Sequence, residues 1–199
     1  MSRSPWQRAL GDSMAELDPG LRAYFGSIPE GYVGRGEGVF DVVGTRRRWL
    51  WPVFAILARD GVVFPVWEHA VPFTVTNRPT PRGTVTATRV FHFRAGDSVM
   101  TDETGVTREG LTDRLGRHGI VSATFDAKVV NGRLVLTSTD AVLRLGPLRF
   151  PLGVLAPRVS LVERTDADHQ HVSLRMTHPL LGTLYEYSGS FTYALEREQ

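Results

Sequence analysis

The stretch VSATFDAKVVNGRLVL (residues 121–136) decides the fold. Val121, Ala123, Phe125, Ala127 and Val129 alternate with more polar residues, the period of a strand with one buried face. Asn131-Gly132 then interrupts the pattern and an apolar strand resumes at Leu134. Asn-Gly supplies the two positive φ angles of a type I′ turn, so the segment predicts an antiparallel hairpin.

The same period extends in both directions. Val71, Phe73 and Val75 form one phase upstream, and Val85, Ala87, Phe91 and Phe93 another, with Pro79-Thr80-Pro81-Arg82-Gly83 as a turn between them. Ala95-Gly96-Asp97 marks the next turn, before strands at 98–107 and 110–116. Downstream, strand 134–145 leads into a proline-rich connection from Gly146 to Pro157 with one helical turn. Strands at 158–164, 171–178 and 182–195 complete the chain. Nine or ten short strands joined by tight turns indicate a barrel or sandwich.

Two segments carry a different period. Residues 5–26 read as helical: Trp6, Leu10, Met14 and Leu17 recur at three or four, and Asp18-Pro19 restarts a short helix as N-cap and first helical residue. A strand follows from Tyr32 to Val43, and because it contains Gly34, Gly36 and Gly38 it is expected to be bulged or irregular. Thr45 to Arg59 then reads as a second helix, entered through Arg46-Arg47-Arg48. That pattern describes an interfacial amphipathic helix as well as a lid. The need to close a barrel end favours the lid. The expected architecture is a mainly β, calycin-like antiparallel barrel or strongly curved sheet with N-terminal helices as lid. It forms a single domain over 1–199, with a helical segment at 1–30 and a barrel at 32–195 that includes the 46–59 helix. A helix-grip sheet is the alternative, but that arrangement ends in a long helix.

Composition excludes several chemistries. The 199 residues contain no cysteine, so disulfides, thiolate catalysis and cysteine-ligated metals are out. The net charge is +2 and Lys128 is the only lysine, which gives no case for nucleic-acid binding. The N-terminus lacks the pattern of a signal peptide, and Trp49 to Ala58 is about half the ~20 residues a spanning helix needs, so a cytoplasmic protein without an integral membrane segment is expected. His169 and His171 read as a solvated hairpin tip, not a metal site. No Gly-x-Ser-x-Gly and no dinucleotide fingerprint occurs, and no cofactor is expected.

Arg89 is the informative residue. It shares its phase with Val85, Ala87, Phe91 and Phe93, so an inward-facing strand points a permanent cation into the barrel. Such a cation needs a partner. Glu163, in phase with Val159 and Leu161, is the natural one, with Asp113 and Glu103 behind it. Tyr185, Tyr187 and Tyr193 share a face of the last strand. Arg89, Glu163, Tyr185, Tyr187 and Trp51 are the expected ligand-contacting side chains, and Glu163 and Asp113 the acid/base candidates. The function expected is binding of a small, largely apolar molecule with an acidic or carbonyl group facing Arg89; a cavity of roughly 300 Å³ or more inside the barrel would favour binding or catalysis. A cofactor-independent cyclase, isomerase or dehydratase in the same pocket is the alternative.

Several short motifs resemble the bacterial DUF4166 family. They are Leu17-Asp18-Pro19-Gly20-Leu21-Arg22, Val33-Gly34-Arg35-Gly36, Arg89-Val90-Phe91, Gly110 to Gly116, Leu155-Ala156-Pro157-Arg158 with Glu163, and His178 to Gly182 with Tyr187-Ser188-Gly189. Their order from about Leu17 to Leu195 carries the resemblance. The family's tryptophan two residues before the arginine is replaced here by Ala87. The resemblance supports one domain and implies no particular chemistry, since the family's function is not established. Some relatives carry the domain beside a dehydrogenase-like domain, which implies a third possibility, a non-catalytic partner of a separate oxidoreductase.

Overall fold

The computed structural model describes residues 3–145, 148–153 and 156–198. Its strands are β1 (Tyr32–Gly44), β2 (Trp67–Pro79), β3 (Val85–Phe93), β4 (Gly96–Thr107), β5 (Gly110–Leu115) and β6 (Val121–Val130). They continue with β7 (Arg133–Leu145), β8 (Leu148–Pro151), β9 (Arg158–Asp166), β10 (His169–His178) and β11 (Gly182–Arg197). All but β8 close into a ten-strand antiparallel barrel. Each barrel strand pairs with its neighbours in sequence, β7 pairs with β9, and β1 with β11 completes the ring. Closure leaves the barrel wall without an unpaired edge. The short β8 pairs with the end of β7 outside the ring. It occupies part of the 146–157 connection, and the helical turn expected there falls partly outside the described residues.

The hairpin at 131–132 forms as the sequence requires: Asn131 has φ 51° and Gly132 φ 77°, and Val130 pairs with Arg133. The irregularity expected in β1 is present. Its register shifts between Phe40 and Val42, not at the glycines. Gly34, Gly36 and Gly38 instead make room across the strand. A Cβ at Gly34 would lie 1.5 Å from the Tyr193 hydroxyl, and one at Gly38 would lie 2.1 Å from the Ser190 carbonyl oxygen.

The helical segments are shorter than their apolar periodicity suggests. The 5–26 region breaks into α1 (Pro5–Leu10), a 3-10 turn (Gly11–Glu16) and α2 (Pro19–Tyr24). Gly11 takes φ 56° and Leu17 is extended, which ends each element. Ser4 and Gln7 form a reciprocal capping box at α1. Asp18 occupies the N-cap of α2 without a side-chain capping bond; its backbone N–H donates to the Gly132 carbonyl at 2.9 Å. In the second segment only Trp51–Ala58 is α-helix (α3), preceded by a 3-10 turn over Arg48–Leu50. Pro52 sits in the first turn, where its missing N–H costs nothing.

These helices close opposite ends. Leu10, Leu17, Leu21 and Phe25 pack against Leu111, Phe125 and Leu134 at the end where β6 turns into β7. Leu50, Phe54, Val62, Val63 and Phe64 pack at the other end against an aromatic cluster that includes Phe40, Phe73, Phe91 and Phe191. Phe40 and Phe73 lie 4.1 Å apart between ring centroids, and Phe91 stacks on Phe93 at 5.7 Å. Among the described residues no helix is long and apolar enough to cross a membrane.

Candidate functional site

Strand alternation carries Arg89 into the barrel. Val85, Ala87, Phe91 and Phe93, two and four positions away on β3, are all buried. Arg89 stands opposite Met100 on β4, which makes Asp102 its diagonal neighbour on the same face. The Asp102 carboxylate accepts from the Arg89 guanidinium in an ion pair, and its side chain is only 4% exposed. Arg89 keeps 24% of its side-chain surface accessible, and it lines an interior cavity of about 180 Å³.

Most of the cavity wall is apolar, with Val63, Met100, Leu111, Phe125, Leu136 and Leu161 among its residues. A polar group interrupts it: Arg89 and Asp102, then Thr104, Asp113, Glu163, Tyr24 and Tyr187. Thr104 and Asp113 are register partners across β4 and β5, and the Thr104 hydroxyl donates to the Asp113 carboxylate at 3.4 Å. The Gln170 side-chain amide donates to Glu163 across β10 and β9.

Enclosure decides the protonation of these groups. Burial pushes the Glu163 carboxyl up to about 7, even though Gln170 and Arg89 pull it down. Burial together with the Asp102 charge pushes Asp113 up to about 8 against the pull of Arg89 and Thr104. For Arg89, burial acts to lower the pKa. Attraction to Asp102, with smaller contributions from Tyr187, Tyr24 and Asp113, outweighs it, and the net shift is upward. Burial also raises the Tyr24 and Tyr187 hydroxyls, which remain neutral. The cavity therefore offers a charge-balanced ion pair, phenolic hydroxyls, and two carboxyls able to gain or lose a proton near neutral pH.

The Glu163 shift has a thermodynamic consequence. A carboxyl held neutral in the fold but free to ionise when unfolded binds more protons in the native state. Its contribution is fully present below the ordinary value of 4.5 and is lost as pH rises through about 7. Unfolding free energy measured by urea titration is expected to fall by on the order of 3 kcal/mol from this group over that window. Glu163→Gln should flatten the slope; parallel profiles for the two proteins would mean that Glu163 is ionised in the fold.

The structure brings Arg89, Glu163, Asp113, Tyr185 and Tyr187 to one cavity. It corrects the pairing, because Arg89 bonds Asp102 and not Glu163. Glu103 faces the other side of β4, where it accepts from the Thr84 hydroxyl at 2.6 Å. Trp51 is not part of the wall; it begins α3 with the Arg48 guanidinium 5.9 Å from its ring centroid. Tyr185 is buried edge-on to Phe54 at 5.6 Å, and Tyr193 packs against Tyr24 at 4.6 Å. Residues that sequence reasoning missed are Tyr24, Asp102 and Thr104. The shared parity of Met100, Asp102 and Thr104 on β4 was the available signal. Among the described residues no group of three or more His, Asp or Glu could hold a metal ion. His92 pairs with Asp97 at 2.8 Å, and His178 accepts from the Leu180 N–H at 3.3 Å.

A family model described as "Domain of unknown function (DUF4166)" matches residues 17–191. No curated protein and no solved structure matches the chain.

Proposed function

The chain belongs to the DUF4166 family, a match that assigns it no chemistry, and from the barrel itself we propose that it binds a small, largely apolar molecule inside the cavity. The observation that carries this reading is an interior space of about 180 Å³ whose apolar wall is broken by one cluster of polar groups around Arg89. Such a wall suits an apolar body with a single polar end.

Size narrows the ligand. Drug-sized molecules occupy roughly 300–1,000 Å³, whereas an apolar cavity of roughly 150 Å³ takes up benzene. The cavity, at about 180 Å³, is smaller than the roughly 300 Å³ taken as the mark of a drug-sized site, which limits the ligand to about one ring. Charge narrows it further. Asp102 already neutralises Arg89, and Asp113 and Glu163 add two more acidic groups to the wall. A ligand carboxylate would find no unpaired cation to offset its desolvation, while a carbonyl oxygen needs no counter-charge and would meet neutral carboxyl donors and phenols. Of the two polar ends anticipated for the ligand, the carbonyl is favoured.

Native mass spectrometry of the gently purified protein tests this. One bound small molecule that is released on denaturation and recovered in an organic extract is the expected result. A bare mass with an empty extract counts against the reading.

One observation favours a second reading. Two carboxyls poised near neutral pH beside a guanidinium are what cofactor-independent proton transfer requires. A cyclase, isomerase or dehydratase would use Glu163 or Asp113 as acid/base and Arg89 as electrostatic stabiliser. A non-catalytic contact with a separate oxidoreductase would need an exposed apolar surface, and the barrel end around α3 has one.

A further inference from the structure

The run from Trp49 to Ala58 contains no polar side chain, yet α3 lies on the surface. Its inner stripe, Leu50 and Phe54, packs on the core with Leu57 half-buried beside it. The outer stripe, Trp49 from the preceding 3-10 turn with Val53 and Ile56 of α3, is 56%, 52% and 62% exposed. An ordinary surface helix is polar on that face. The neighbouring turn between β10 and β11 adds Leu180, 89% exposed. Arg47 holds the two together, its Nε–H donating to the Thr183 carbonyl at 2.8 Å. Protruding apolar side chains gathered on one surface mark an interaction site.

The charges around this surface say what it meets. Among the described residues that connect strands at this end, the cations are Arg46, Arg47, Arg48, Arg59, Arg94 and Arg117. Three carboxylates stand against these six cations: Asp60, buried and bonded to His118, Glu68, which accepts from the Arg94 N–H at 3.1 Å, and Asp97, which pairs with His92 at 2.8 Å. At the opposite end Asp12, Glu16, Asp18, Glu30, Glu109 and Asp168 balance the arginines there. The barrel is therefore polarised along its axis, and its cationic end is the apolar one. Guanidinium groups bind phosphate bidentately, and an apolar helix face rimmed by arginine is the pattern of an interfacial helix. A second copy fits poorly, since a symmetric contact would oppose two rings of arginine.

We propose that this end of the barrel docks on an anionic lipid surface, with Trp49, Val53, Ile56 and Leu180 entering the headgroup boundary and the arginines meeting lipid phosphates. The inference does not depend on what the cavity holds.

Vesicle co-sedimentation of the full chain tests it. Binding to vesicles of phosphatidylcholine and phosphatidylglycerol at three to one is expected to exceed binding to pure phosphatidylcholine by on the order of tenfold or more. It should also be released near ~1 M salt, where the screening length is ~3 Å. The double variant Val53→Ser/Ile56→Ser changes exposed positions and should melt like the parent, but bind the mixed vesicles on the order of tenfold more weakly. Folded parent protein left in the supernatant with mixed vesicles would overturn the proposal, as would a variant that binds as well as the parent. A lipid-independent dimer abolished by the double variant would assign the face to a second copy instead.

Discussion

Arg89→Met is expected to destabilise the protein by roughly 3–5 kcal/mol, measured by urea denaturation, because it leaves a buried carboxylate without its partner. The Asp102 side chain is 4% exposed and its bonded cation is Arg89. Removing the guanidinium strands that charge among Met100, Thr104 and Asp113, and Asp113 already carries the strain of sitting near it. The protein can respond only by protonating Asp102 or admitting water. The double variant Arg89→Met/Asp102→Leu removes both charges and is expected to recover most of the loss, since an apolar pair of similar volume is often as stable as a buried ion pair. If the single and double variants are equally unstable, the interaction is not a desolvated pair and the account of the polar cluster is wrong.

Ala123→Phe has the second large effect, on binding. Ala123 lines the cavity from β6, opposite Asp113 on β5. A phenyl ring at that position occupies the space assigned to the ligand. Overpacking is expected to cost roughly 1–3 kcal/mol of stability, so the protein remains folded. Affinity for a ring-sized ketone should fall by on the order of a hundredfold, about 2.7 kcal/mol. Isothermal titration of the parent and variant with cyclohexanone reads this directly. Equal affinities would put any bound ketone outside the barrel.

Much of the architecture is readable along the chain because a barrel strand with one buried face repeats every two residues. Val85, Ala87, Phe91 and Phe93 assign Arg89 to the interior before any neighbour is known, and Asn131-Gly132 locates a turn from backbone requirements alone. The partner of Arg89 is harder to read. Alternation tells which face a residue takes but not which residue stands across from it, and that is set by register. On β4, Met100, Asp102 and Thr104 share the inner face, but only one of them is apolar, so the phase signal is weak. Tyr24 was out of reach for another reason. It belongs to α2, outside the ring of strands, and enters the cavity wall because the N-terminal segment folds across the barrel end. The glycines of β1 go with a bulged strand but do not place the bulge, because a missing Cβ reads equally as weakness or as space. Here it is space, filled by Tyr193 and Phe191 from β11. Trp51 stays out of the cavity wall: it is half-buried at the start of α3, where Phe54 is the side chain that reaches Tyr185.

The central claim is that the barrel interior takes up a ring-sized, uncharged molecule beside Arg89. Methyl-resolved NMR of the ligand-stripped protein, titrated with cyclohexanone, tests it most directly. Saturable shifts confined to the methyls of cavity residues such as Leu136, Leu161, Leu174 and Met176 are the expected result. No saturable change at those methyls, or shifts confined to the Val53 and Ile56 methyls on the outer face of α3, would contradict it.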